Sequence, residues 1–188
     1  MANARSARAG HRLWLPIGAM AGVITLSNVA VNFQINNWLT WGAFTYPLAF
    51  LVTDLTNRAL GSESARRVVY AGFAVGVVCS IVAGLLGLST VRIALASGAA
   101  FLIAQLLDIL IFDRLRRASW WKAPFVSSSL ASFVDTLMFF GLAFAFTPVP
   151  WLTLALGDYG VKLAMALLLL LPFRALMSAT APTAVKTS

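Results

Sequence analysis

The chain has 188 residues, of which 60% are hydrophobic and only 11% charged, and its mean hydropathy is +0.87. A soluble domain of this length has no way to hide that much apolar surface, so the composition defines an integral membrane protein. The net charge of +8 comes from short basic clusters between apolar runs and not from a basic face on a soluble fold, which excludes the nucleic-acid-binding class, and the single cysteine, Cys79, excludes an internal disulfide.

About 20 helical residues cross a hydrocarbon layer about 30 Å thick. Residues 1–12, "MANARSARAGHR", read as a cytoplasmic tail. Ala19-Met20-Ala21 resembles a signal-cleavage site, but too few apolar residues precede it, and the first helix is expected to be uncleaved. The first span is Leu13–Phe33, with Thr25, Asn28 and Asn32 along one stripe. The second, Trp41–Asn57, is the shortest; it carries Phe44, Tyr46 and Asp54, and Pro47 should kink it by removing a backbone donor.

The third span, Val68–Leu88, ends in the tight "GLST" connection, and the fourth, Val91–Phe112, places Gln105 and Asp108 three apart on a shared face. The fifth, Ala123–Phe146, holds Ser128, Ser132, Asp135 and Phe139 at steps of four, three and four, a polar stripe with an aromatic end. The sixth is Asp158–Ala175, followed by a tail at 176–188. The runs are continuously apolar and not alternating, so helices are expected rather than a barrel. The expected fold is all-α and polytopic: one domain of six transmembrane helices over residues 13–175, with both termini cytoplasmic.

Orientation follows from the basic residues. Of the 14 lysines and arginines, all but Arg92 and Lys162 fall in the tails, the connections or, for Arg174, the end of a span on the side of the termini, and the positive-inside rule puts that side in the cytoplasm. The six tryptophans, Trp14, Trp38, Trp41, Trp120, Trp121 and Trp151, sit near span ends, where interfacial indoles belong.

The polar residues inside the spans carry the functional signal. An ionised group near the bilayer centre costs about 2.5–3.5 kcal/mol on insertion scales. Asp54, Asp108 and Asp135 therefore need partners, protonation or water. Asp108 and Asp135 are read as facing an interior cavity, because an acid is a costly way to join helices. Asp54 has two readings, the cytoplasmic edge of a solute path or an i,i+4 ion pair with Arg58. Serine, threonine and the small residues serve helix packing equally well. Asp158 and Lys162, also four apart, either pair at the outer interface or serve as a gate or a solute contact. Asp113 and Glu63, beside arginines, read as solvated charges.

Enzyme classes find no support. His11 is the sole histidine and lies in the tail, which removes His-dependent proteolysis and histidine-rich metal sites. "ALGDYG" lacks the first glycine of the GxGD aspartyl protease motif, and no GxxxxGK[ST] phosphate loop is present. No cofactor or metal is expected.

The blocks "TWGAFTYPLAFLVTDLTNRALG", "ARRVVYAGF", "RIALASGAAFLIAQLLDILIFDRLRR", "WWKAP", "SSSLASFVDTLMFFGLAFA" and "DYGVKLAMALLLLLP", with "SNVAVNFQ" in the first helix, together resemble the VUT family of bacterial queuosine precursor transporters. The resemblance spans Leu26 to Pro172. It implies uptake across the bacterial inner membrane of 7-cyano-7-deazaguanine and of 7-aminomethyl-7-deazaguanine, a small-molecule substrate held in the bundle and surrounded by membrane lipid. Such a base is flat, with adjacent N–H donors and a carbonyl along one edge. Asp108 or Asp135 would accept the donors, Gln105 or Asn28 would donate to the carbonyl, and Phe44, Tyr46 or Phe139 would cover the ring. Asp54, Ser128 and Ser132 complete the expected substrate-binding set. Movement would be by alternating access, either proton-coupled or as a facilitator. The competing class is a substrate-capturing subunit of an energy-coupling-factor importer, dependent on a separate ATPase. A homodimer stays open, with no interface located.

Overall fold

The structure is a computed structural model that describes residues 2–31, 33–36 and 39–180. Asn32, Trp38 and the tail beyond Thr180 lie outside the described residues. The chain is mostly helical. Helix α1 (Ala2–Ala30) leads into a short antiparallel hairpin, β1 (Gln34–Asn36) and β2 (Leu39–Thr40). There follow α2 (Gly42–Thr45), α3 (Leu48–Leu60), α4 (Ser62–Leu85), α5 (Val91–Leu115), α6 (Lys122–Phe144), α7 (Trp151–Leu168) and α8 (Leu170–Thr180). Helix α1 thus runs through the sequence expected as a tail.

Among the described residues, five segments are long and apolar enough to cross a bilayer: Leu13–Ala30, Ser62–Leu85, Val91–Leu115, Lys122–Phe144 and Trp151–Met177. Large apolar side chains such as Leu95, Leu156 and Leu171 stand exposed on their outer faces, as a surface solvated by lipid tails requires. The second expected span is not one helix. Pro47 has no N–H to give the Ala43 carbonyl, so the helical hydrogen bonding is interrupted between α2 and α3 at Tyr46–Pro47, while both residues keep right-handed helical dihedrals. At 13 residues, α3 rises only about 20 Å, short of a full crossing. The last span, by contrast, begins at Trp151, before the expected Asp158, and passes from α7 into α8 with helical bonding from Leu169 to Met165 and from Phe173 to Leu169.

Packing fixes which faces turn inward. Met20 and Ile24 of α1 meet Ala49 of α3, Val68 and Val69 of α4 and Phe101 of α5 in the largest apolar cluster. Gly72 permits this approach, since a Cβ there would lie 2.5 Å from Met20 Cγ. Helix α4 ends at Leu85, and the chain turns at Gly87, in the left-handed region at φ +69, where a residue without Cβ is favoured. Helix α5 then starts at Thr90, whose hydroxyl accepts the Ile93 N–H, a standard N-cap. Helix α5 lies chiefly against α6, and Arg92 ties the two by donating to the carbonyls of Leu142 and Ala145 at 2.8 and 2.7 Å.

Candidate functional site

A cavity of about 530 Å³ opens at the end of the bundle that carries the 86–90 connection. Its walls come from α1, the α2 break, α4, α5, α6 and α7, among them Ser27, Asn28, Ala43, Tyr46, Ser97, Ala100 and Phe139. Its size lies within the 300–1,000 Å³ of small-molecule sites. A groove of about 600 Å³ between α1, α4 and α5 shares Asn28, Tyr46 and Ser97 with it.

The cavity ends on an ionic cluster. Lys162 Nζ donates to Asp135 Oδ2 at 2.8 Å and to Thr136 Oγ1 at 3.0 Å, and it pairs with Asp158 Oδ2. The Thr136 hydroxyl donates to the same Asp158 oxygen at 2.8 Å, and the ammonium lies 5.8 Å from the Tyr46 ring centroid. Lys162 is only 5% exposed. Because α7 begins at Trp151, Asp158 sits seven residues, or about 10 Å, inside the span and not at its outer edge. The pairing anticipated at the interface is therefore an interior one, and it recruits Asp135 from α6.

Below this cluster, polar and apolar layers alternate. Phe50, Ala104 and Ala131 pack together directly beneath it, beside a hydrogen bond from the Thr53 hydroxyl to Gln105 Oε1. The next layer holds Asp54 of α3 and Asp108 of α5, both buried, between the Thr53–Gln105 bond and the Asn57–Ile109 bond. Ser127 and Ser128 donate to the two oxygens of Asp54 at 3.4 and 3.1 Å. Further along, Asn57 donates to the Ile109 carbonyl, Arg116 donates to the carbonyl and side-chain oxygens of Asn57, and Arg58 donates to the Arg116 carbonyl. Phe112, Ala123 and Phe173 close the far end. A void of about 20 Å³, lined by Asp54, Ser128, Ser132 and Lys162 among others, has room for a water molecule.

The expected site residues divide between these levels. Asn28, Tyr46, Asp135 and Phe139 line the open cavity. Gln105 and Asp108 share a face as expected, but both are fully buried beneath the floor. Ser128 and Ser132 follow Asp135 down the inward face of α6 to Asp54. Phe44 packs against Trp41 at 6.1 Å between centroids and is not among the cavity residues, because the turn of α2 presents Gly42 and Ala43 there instead. The Asp54–Arg58 ion pair does not form: Arg58 reaches across to the α5 terminus, leaving Asp54 to the two serines. On α1, Thr25 is exposed and Ser27 takes the inward position. Lys162, Asp158 and Thr136 were missing from the expected set. The available signal was a basic residue four positions after an acid within an apolar run.

Arg67–Glu63 at 3.0 Å and Arg116–Asp113 at 2.9 Å are more exposed pairs at the opposite end from the cavity. Among the described residues no group of three or more His, Cys, Asp or Glu could hold a metal ion.

Several helices with apolar outer faces around a polar cavity of small-molecule size are the arrangement of a multi-pass membrane protein. Residues 40–177 match the family described as "Putative vitamin uptake transporter", and the chain belongs to that family. It is 36% identical over 174 residues to the queuosine precursor transporter of Escherichia coli, covering 80% of this chain and 79% of that protein. It is 35% identical over 170 residues to a probable queuosine precursor transporter of Haemophilus influenzae, covering 79% and 72%. A third protein of that description, from Bacillus subtilis, is 28% identical over 177 residues, covering 77% of each chain. No solved structure matches.

Proposed function

We propose that the chain imports 7-deazaguanine precursors of queuosine, 7-cyano-7-deazaguanine and 7-aminomethyl-7-deazaguanine, across the bacterial inner membrane. The substrate class comes from the names of the relatives. The observation that carries the site assignment is a cavity ending on Asp135, Lys162 and Asp158 between aromatic walls. Asp135 accepts the ring N–H and the exocyclic amino group, Asn28 donates to the ring carbonyl, and Tyr46 and Phe139 cover the faces. On binding, the base competes with Lys162 for Asp135, so occupation of the site loosens the contact that joins α6 to α7.

The broken α2–α3 segment supplies the sixth passage: residues 42–60 taken together rise about 28 Å. With both termini cytoplasmic, the cavity opens to the periplasm and the arginine-rich end faces the cytosol. Alternating access then consists of closing the mouth around Phe139, Phe140 and Phe144 and parting the layers below Lys162. Labelled-precursor uptake in cells that can neither make nor import the base should appear with this chain and vanish with Asp135→Asn. No uptake by the well-expressed chain refutes the assignment. Transport by the purified chain alone in vesicles excludes dependence on a separate ATPase.

A further inference from the structure

The cavity and its ionic floor leave one buried pair of titratable groups without a role, Asp54 and Asp108. They are 2% and 0% exposed and lie on neighbouring turns of α3 and α5, between two hydrogen bonds that tie those helices together, Thr53 to Gln105 and Asn57 to the Ile109 carbonyl. Ser127 and Ser128 give their hydroxyls to Asp54, and neither oxygen of Asp108 has a donor. Two ionised carboxylates buried side by side with no cation between them repel, whereas one proton between them allows an O–H···O hydrogen bond.

The surrounding charges do not offer an alternative. From α3, Arg58 points to the Arg116 carbonyl; from the end of α5, Arg116 is taken by Asn57 and Asp113. From α6, Ser127 and Ser128 supply hydroxyls only, and from α8, Arg174 stacks on Trp120 at 4.9 Å. One cation can arrive: Lys162 of α7 lines the void that Asp54, Ser128 and Ser132 also line.

We propose that Asp54 and Asp108 hold a single proton between them, that this proton is the co-substrate of transport, and that Lys162 links its release to occupation of the cavity. Solute binding at Asp135 removes one of the two carboxylates that hold the ammonium, and Lys162 turns through the shared void towards Asp54. An ammonium–carboxylate contact replaces the shared proton, which leaves to the cytosol once the inner layers part. On the return, Lys162 goes back to Asp135 and Asp158, and the pair takes a new proton from the outer side. The balance is one proton and one solute inward per cycle, with no bond made or broken in the solute.

This inference rests on the transport reading, and the test separates the two. Full-length protein in sealed vesicles, with membrane potential clamped, is given labelled 7-cyano-7-deazaguanine and an interior more alkaline by one pH unit. One-proton coupling concentrates the solute about tenfold, and adding solute acidifies an internal pH dye. Asp54→Asn and Asp108→Asn each bring the ratio of uptake with and without the gradient close to one. The coupling is overturned if the wild-type chain exchanges labelled for unlabelled solute yet only equalises it under the gradient, with no dye response. A variant that keeps the full gradient response overturns the placement of the proton. Absence of exchange even without a gradient sinks the transport reading and the coupling with it. The wild-type dye measurement stands whether or not the variants fold.

Discussion

Lys162→Met keeps length and flexibility while deleting the one cation that Asp135 and Asp158 share. The three side chains are 6%, 5% and 16% exposed, so water can do little to screen the acids left behind. Removing one partner of a buried pair costs about 3–5 kcal/mol, because the uncompensated charge remains in the interior. For a chain of this length about 2–4 °C of melting temperature corresponds to each kcal/mol, giving a loss of about 6–20 °C. Thermal unfolding of the detergent-solubilised protein, followed by tryptophan fluorescence, reads this directly. Adding Asp135→Asn to Lys162→Met should recover part of the loss, with a coupling energy of about 0.5–3 kcal/mol, since Asp158 keeps the Thr136 hydroxyl. A Lys162→Met loss within about 2 °C, or strict additivity of the two substitutions, would refute a buried ionic cluster at the cavity floor.

In a detergent binding assay, Asp135→Asn should weaken precursor affinity about 10- to 150-fold, the scale of hydrogen bonds to a charged acceptor; unchanged affinity would move the base elsewhere. Gly72→Ala should cost about 1–3 kcal/mol, because its Cβ would fall 2.5 Å from Met20 Cγ, whereas Gly76→Ala, with Ile24 Cγ2 at 3.6 Å, should be tolerated; paired melting curves test the contrast. Pro47→Ala returns a donor to the Ala43 carbonyl and should raise the melting temperature while slowing uptake, as the break at Tyr46 straightens; faster uptake would show that the break does not serve transport.

Much of the architecture is written along the chain. A membrane-crossing helix must present a long apolar stretch to lipid whatever its neighbours do, so five of the six expected runs correspond to spanning segments. The polar stripe on α6 is equally legible, because residues three and four apart share a face in any helix, and Ser128, Ser132 and Asp135 do turn inward together. An aspartate in such a run marks a site because lipid cannot accommodate it.

What tertiary structure alone decided is who meets whom. In a soluble helix the polar face points away from the core, but here both the lipid side and the packed side are apolar, so periodicity does not tell Phe44 from Phe139 or Thr25 from Ser27. Lys162 reaches Asp135 across 27 positions, and Arg58 passes over its sequence neighbour Asp54 to take the Arg116 carbonyl. Asp54 and Asp108 share a layer because α3 and α5 pack side by side, tied by Thr53 to Gln105 and by Asn57 to Ile109. The chain's own residues determine that buried charge must exist; the angles at which the helices pack determine which charges touch, because a hydrogen bond or ion pair depends on a few ångströms that only inter-helix contacts set.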